Sequence, residues 1–203
     1  MNAHPIEGIV AILRGVTPET IDDVAAALVD GGVRIIEVPL NSPHPLHSIE
    51  RLATRWGDQV LVGAGTVLTP AQANEVADAG GRLVLAPNFD AAVVQRTLER
   101  GLLAVPGVAT PTEGFNALAA GAHALKLFPA EMLGPPVLKA WRAVFPKGTA
   151  LLPVGGVGIG NLAAFKAAGA VGAGIGSSLY APGVAAAELK ARAAALVQAW
   201  QAA

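Results

Sequence analysis

The chain has no cysteine among its 203 residues. That absence excludes a disulfide framework, a thiolate zinc site and a cysteine nucleophile, and it leaves His4, His44, His47 and His123 as the only soft metal ligands. Charge is scarce as well. There are 14 Lys and Arg against 15 Asp and Glu, a formal net charge of -1 and no basic run, so the electrostatic footprint of a nucleic-acid binder is missing. With 14% charged and 53% hydrophobic residues, disorder is also excluded, and much of the chain must be buried. Residues 1–16 lack a basic n-region, and their apolar run is too short for a signal h-region or a bilayer span. The expectation is a cytoplasmic protein with no membrane partner.

What the sequence has in quantity is alanine, the best helix former, punctuated by 24 glycines and 15 prolines. Eight short apolar runs recur: Gly8 to Leu13, Arg34 to Pro39, Val60 to Ala64, Leu83 to Ala86, Leu102 to Pro106, Ala124 to Phe128, Ala150 to Val154 and Gly172 to Gly176. Turn residues and then a longer segment of helical periodicity follow each run, a rhythm that suits strand, loop, helix, loop. Thr17-Pro18 and Thr69-Pro70 each place a capping hydroxyl before a proline at the first helical position, and Gln72 completes a capping box with Thr69. Glycines at 31–32, 80–81, 101, 121 and 169 supply the left-handed residue that closes a helix. Strand and helix alternation predicts a parallel sheet, and eight repeats predict that it closes. The expected fold is α/β, a single-domain (β/α)8 TIM barrel spanning 1–203, at the lower limit of length for that architecture.

In such a barrel the chemistry lies at the C-terminal strand ends. Alternation from Ala124 to Phe128 gives Leu125 and Leu127 to the helix-facing side and turns Lys126 inward, where desolvation favours a neutral, nucleophilic amine. The same alternation in IIEVP turns Glu37 inward between Ile36 and Val38. A carboxylate and an amine then share one apolar cavity, with Arg14 at its rim. The alternative is a buried Lys-Glu pair that serves structure alone, which is a weak device because apolar replacements are often as stable. Perturbed titratable groups in a cleft point to a site.

The last two runs end in PVGGV (153–157) and GIGSS (174–178). Gly155, Gly156 and Gly176 let backbone N–H groups approach an anion, and a helix beginning near Ser177 or Ser178 adds a favourable dipole. The loops after the last two barrel strands are the usual phosphate site. After the third run, GAGT (63–66) offers a donor in Thr66 and close backbone approach at Gly65, although a turn with a capping threonine accounts for it as well. The histidines lack carboxylates at ligand spacing and read as surface or loop residues, so no metal is expected. Trp141 and Trp200 fall inside helical patterns and Trp56 at a helix end.

Taken together, IVAILRG (9–15), GGVRIIEVPLNSP (31–43), VGAGTVLTP (62–70), VPGVATPTE (105–113), ALKLFPAE (124–131), PVGGV and GIGSS resemble the pyruvate-dependent sugar-acid phosphate aldolases of the Entner-Doudoroff type. The motifs spread over nearly the whole chain. The resemblance implies a class I carbon-carbon lyase that forms a Schiff base, needs neither metal nor cofactor, takes a small sugar-acid phosphate, releases pyruvate and D-glyceraldehyde 3-phosphate, and assembles as a homotrimer. It implies Lys126 as the imine-forming nucleophile and Glu37 as the acid and base. Arg14, Thr66 and the Gly65 amide would hold the pyruvyl carboxylate. Gly155, Gly156, Gly176 and Ser177 would bind phosphate, with Pro87, Pro106 and Phe128 walling the imine pocket.

Two departures from the gluconate-type members bear on specificity. Those members commonly read PTGG where this chain has Val154, and many have LR where it has Leu40-Asn41. Both look like the galactonate branch, whose substrate differs in configuration at C4. A methyl in place of a hydroxyl beside C4 makes Val154 the expected specificity residue. The competing classes are phosphate-binding barrels of metal-dependent or non-catalytic kind, and these leave Lys126 unexplained.

Overall fold

The structure, a computed structural model, describes residues 6–203; His4 lies outside the described residues. Strands β1 (Gly8–Ile12), β2 (Ile35–Pro39), β3 (Leu61–Gly65), β4 (Leu83–Leu85) and β5 (Leu103–Val105) alternate with helices α1 (Ile21–Asp30), α2 (Pro45–Trp56), α3 (Pro70–Asp78) and α4 (Ala91–Glu99). There follow β6 (Gly107–Val108), α5 (Pro111–Ala119), β7 (Leu125–Leu127), α6 (Ala130–Arg142), β8 (Leu151–Pro153), α7 (Leu162–Ala167), β9 (Gly172–Ile175) and α8 (Ala186–Ala202). Every strand pair is parallel. No helix among the described residues is long and apolar enough to cross a membrane.

All eight apolar runs become strands, but the ladders form two curled sheets rather than the one closed sheet that eight repeats predict. Six strands run in the order β5-β4-β3-β2-β1-β9, and three in the order β6-β7-β8. Proline explains both seams. Pro106 faces β7, accepting the Lys126 N–H but having no N–H to return, so β5 forms no ladder with β7 and pairing there starts only with the unexpected β6. Pro153 ends β8, and a single bridge between Val154 and Gly174 joins that strand to β9.

Alternation along the strands sorts side chains into two layers. Ile36, Val38, Leu125, Leu127 and Leu151 pack outward in the large cluster beneath the helices, while Val10, Ile12, Ile35, Leu83, Leu85 and Leu152 pack inward. Leu125 and Leu127 are fully buried, and each contributes about 2 kcal/mol by leaving water. That gain locks the facing of β7, because a slip of one residue would exchange both leucines for Lys126.

The helix ends match the sequence pattern. Gly32, Gly80, Gly101, Gly121 and Gly169 all have positive φ. Thr69 caps α3 through the expected capping box with Gln72, and Thr110 does the same for α5 with Glu113, a TxxE signal of the same type. Thr17-Pro18 behaves differently from expectation. Thr17 opens a turn in which its carbonyl accepts from the Thr20 and Ile21 amides, and α1 begins only at Ile21. The Thr17 hydroxyl lies against that of Thr20 instead of capping the helix.

Candidate active site

Glu37 and Lys126 are the only buried charged side chains among the described residues, 2% and 6% exposed. They come from β2 and β7, which belong to different sheets. Burial pushes the Glu37 carboxyl up to about 7, with Lys126, Arg14 and the Gly65 N–H pulling it the other way. Burial likewise pushes the Lys126 ammonium down, opposed by Glu37 and reinforced by Arg14. Burial thus favours the neutral form of the amine and lets the carboxyl hold its proton up to about neutral pH.

No ion pair joins the two groups. Lys126 Nζ sits over the Phe128 ring, 4.6 Å from its centroid, and Glu37 Oε2 is buried without a hydrogen-bond partner. A pair evolved for stability would close that contact, because an unpaired buried oxygen costs about 1–3 kcal/mol. The arrangement instead leaves an acceptor and an amine facing the inside of the fold with nothing between them spoken for. The other four lysines offer no equivalent. Lys139, Lys147 and Lys190 are exposed, and Lys166 Nζ donates to the Trp200 carbonyl.

Glu37 owes its place to Gly65, its neighbour at the end of β3. A Cβ on residue 65 would lie 2.1 Å from Glu37 Oε2, so only glycine leaves room for the carboxylate. Gly65→Ala is therefore expected to displace Glu37 and, where that carboxyl moves protons in the reaction, to lower the rate by about a hundredfold while circular dichroism stays native. A rate within about threefold of the parent would show that the carboxylate does not depend on this gap. Thr66 follows with φ 57, an unusual backbone for a β-branched residue and the kind of strain that collects at functional sites. Arg14 stands exposed just beyond β1, where its Nη1 donates to the Asn41 carboxamide oxygen.

A cavity of about 510 Å³ opens next to Phe128 and is lined by Arg14, Val154, Gly155, Gly156, Gly176 and Ser177. Phe128 links the two regions, since its ring carries Lys126 Nζ and also lines the cavity. Gly155 and Gly156 have φ of 97° and 66°, so the turn after β8 is one that only glycine makes without strain. Val154 is 4% exposed and packs on Gly174, where a Cβ would come within 2.7 Å of it.

One expectation about this region fails. No helix starts near Ser177: the segment makes one turn, in which the Leu179 and Tyr180 amides donate to the Gly176 carbonyl, and α8 begins only at Ala186. Pro182 and Gly183, between turn and helix, divert the chain, so no helix dipole faces an anion there. The two serines also differ. Ser178 Oγ donates to the Val157 carbonyl at 2.9 Å, which commits its proton to the loop, whereas Ser177 is exposed toward the cavity.

Sequence reasoning missed Gly158, Tyr180 and Pro182, which complete the cavity wall. Tyr180 is the chain's single tyrosine, two residues past GSS, and that proximity was the available signal. The three described histidines stay outside. His44 begins α2 and stacks on His47 at 6.0 Å, and the exposed His123 accepts the Ala104 N–H. Among the described residues no group of three or more His, Asp or Glu side chains could hold a metal ion.

The chain as a whole is similar to known proteins. The family model described as KDPG and KHG aldolase matches residues 5–195. A probable 2-dehydro-3-deoxy-6-phosphogalactonate aldolase of Rhizobium meliloti (strain 1021) is 46% identical, over 96% of this chain and 92% of its own. The 2-dehydro-3-deoxy-6-phosphogalactonate aldolase of Escherichia coli (strain K12) is 44% identical, over 95% and 94%. Among solved structures, native KDPGal superposes with a TM-score of 0.94 at 43% identity, covering 96% of this chain and 94% of that one. KDPG aldolase from Legionella pneumophila, with pyruvate captured as a covalent carbinolamine, superposes at 0.85 with 27% identity and 96% coverage of both. The chain belongs to the KDPG and KHG aldolase family.

Proposed function

We propose that the protein is a Schiff-base aldolase that cleaves 2-dehydro-3-deoxy-6-phospho-D-galactonate to pyruvate and D-glyceraldehyde 3-phosphate. The observation that carries the reading is the buried, unpaired Lys126 and Glu37 beside a glycine-lined cavity. The galactonate relatives, matched over nearly the full length of both chains, support the substrate.

Neutral Lys126 Nζ attacks the C2 ketone, giving a carbinolamine that loses water to form a protonated imine. The imine is the electron sink. As the C3–C4 bond breaks, its electron pair moves to C3 and on to nitrogen as an enamine, while the C4 hydroxyl proton passes to Glu37 and the aldehyde departs. Glu37 then returns a proton to C3, and water hydrolyses the resulting pyruvate imine to free Lys126. Arg14 offers its guanidinium fork to the substrate carboxylate, with the Thr66 hydroxyl and the Gly65 amide beside it, the latter shared with Glu37. Gly155, Gly156, Gly176 and Ser177 receive the phosphate through backbone N–H groups and one hydroxyl.

Val154 is the residue assigned to epimer choice. Val154→Thr keeps the side-chain shape and restores a hydroxyl beside C4. In condensation of pyruvate with D-glyceraldehyde 3-phosphate, the variant is expected to shift the product toward the gluconate epimer by about tenfold, the worth of one hydrogen bond. Product configuration by NMR reads the result, and a dominant gluconate epimer from the parent protein contradicts the galactonate assignment.

The same proposal takes residues 1–203 as one domain, with the two sheets closing into one eight-stranded barrel, for which the Val154–Gly174 bridge is support. It takes the enzyme as a cytoplasmic homotrimer. A phosphorylated substrate, which does not cross membranes unaided, supports the compartment, and exposed Met132 and Ile159 support assembly. Light scattering tests the last point against the mass of three 20.4 kDa chains. The central test is chemical: incubation with pyruvate and borohydride, followed by peptide mapping, is expected to yield a reduced adduct on Lys126, and no adduct there ends the Schiff-base reading.

A further inference from the structure

Residues 40–42 directly follow β2 and bridge to the ends of both neighbouring strands. The Leu40 N–H donates to the Gly65 carbonyl at 2.9 Å, and the Gly15 N–H donates to Ser42 Oγ at 3.0 Å. Between them, Asn41 Oδ1 accepts from Arg14 Nη1, across 27 residues of sequence. The Leu40 backbone and the Ser42 hydroxyl thus anchor the segment on either side, and the residue in the middle is free to act on Arg14 alone.

That middle contact has a distinctive chemistry. Arg14 is exposed, and among the described residues no carboxylate pairs with it. A long side chain at a rim loses about 2 kcal/mol of rotamer freedom when a ligand fixes it, and a standing hydrogen bond removes part of that loss beforehand. The choice of acceptor matters equally. A carboxylate would hold the guanidinium but cancel its charge, whereas a carboxamide holds it and leaves the charge for an incoming anion. Asn41 Oδ1 takes one donor of the five, so the rest of the fork stays open.

We propose that Asn41 is a positioning residue that presets the Arg14 guanidinium for the carboxylate of the substrate while leaving its charge intact. The role rests on the reading of Lys126 as the imine-forming lysine and Arg14 as the carboxylate's partner. It is confined to the pyruvyl half of the substrate, since the phosphate cradle lies on the loops after β8 and β9.

Asn41→Ala and Asn41→Asp test it, by borohydride trapping at graded pyruvate and by condensation kinetics with D-glyceraldehyde 3-phosphate. Asn41→Ala is expected to raise the half-saturating pyruvate concentration about tenfold. Asn41→Asp, which has the same shape and keeps an acceptor, is expected to raise it at least as much, because it neutralises Arg14. In both variants kcat and the KM for D-glyceraldehyde 3-phosphate stay within about twofold, a split that a loosened loop would not produce. An aspartate that binds pyruvate as well as asparagine overturns the proposal, as does an equal rise in both KM values or no change in either. Failure of the parent protein to form any pyruvate adduct overturns the underlying reading of the site, and this role with it.

Discussion

Lys126→Met is expected to remain folded, to form no borohydride-trapped adduct with pyruvate and to lose aldol cleavage by on the order of 10^4-fold or more, the scale on which loss of a catalytic nucleophile registers. Methionine matches the length and flexibility of the lysine stem and suits the apolar contact with the Phe128 ring. Lysine is present at a cost, since burial opposes its charged form. Removing it takes away the stronger of the two cations that oppose Glu37's desolvation, Arg14 being the other, so the carboxyl rises further and takes a proton in place of standing as a buried bare charge. The melting temperature should therefore equal or exceed that of the parent. Cleavage within about tenfold of the parent, or an adduct mapped to any of the four other lysines, would remove Lys126 from the chemistry.

Glu37→Gln also separates function from stability. The substitution keeps the shape but cannot carry a proton between O4 and C3, so a loss of about 10^2 to 10^4-fold in cleavage is expected. The parent's rate should climb with pH through about 7 as Glu37 ionises to become a base, and that limb should vanish in the variant.

Stability follows from the same shift. The carboxyl titrates at about 7 in the folded chain against 4.5 unfolded, so between those values the folded state binds more protons and parent stability falls as pH rises. The penalty is absent below 4.5 and complete above about 7. Glutamine carries none of it. The variant should thus gain melting temperature relative to the parent from acid to neutral pH, read by calorimetry at about pH 4.5 and about pH 8. A parent that gains on the variant over that window would mean that the fold stabilises the carboxylate, contrary to its burial.

Much of the architecture was legible because its signals are local. Strand runs and glycine helix ends appeared where periodicity and punctuation put them, and the Thr69 capping box formed as spaced. Thr17-Pro18 carries the same local signal as Thr69-Pro70 yet opens only a turn, since the Thr17 hydroxyl turns to Thr20. The seams depended on longer range. Pro106 signals a break in pairing, but nothing in the run from Leu102 to Pro106 says which strand lies beside it. That follows from which neighbour has acceptors in reach, such as the Pro106 carbonyl that takes the Lys126 N–H.

The facing of Lys126 and Glu37 was determined by sequence alone, because side-chain alternation on a strand has a period of two and the flanking leucines, isoleucine and valine can lie only on the apolar helix side. Only the tertiary structure decided that the two groups approach without pairing, that Gly65 makes room for the carboxylate, and that Arg14 is held by an asparagine 27 residues away. It also decided that the cavity wall after β8 is a glycine turn and that no helix starts at Ser177. The reason is physical. These features arise where loops from separate strands converge, and their distances depend on packing between segments that no local pattern specifies.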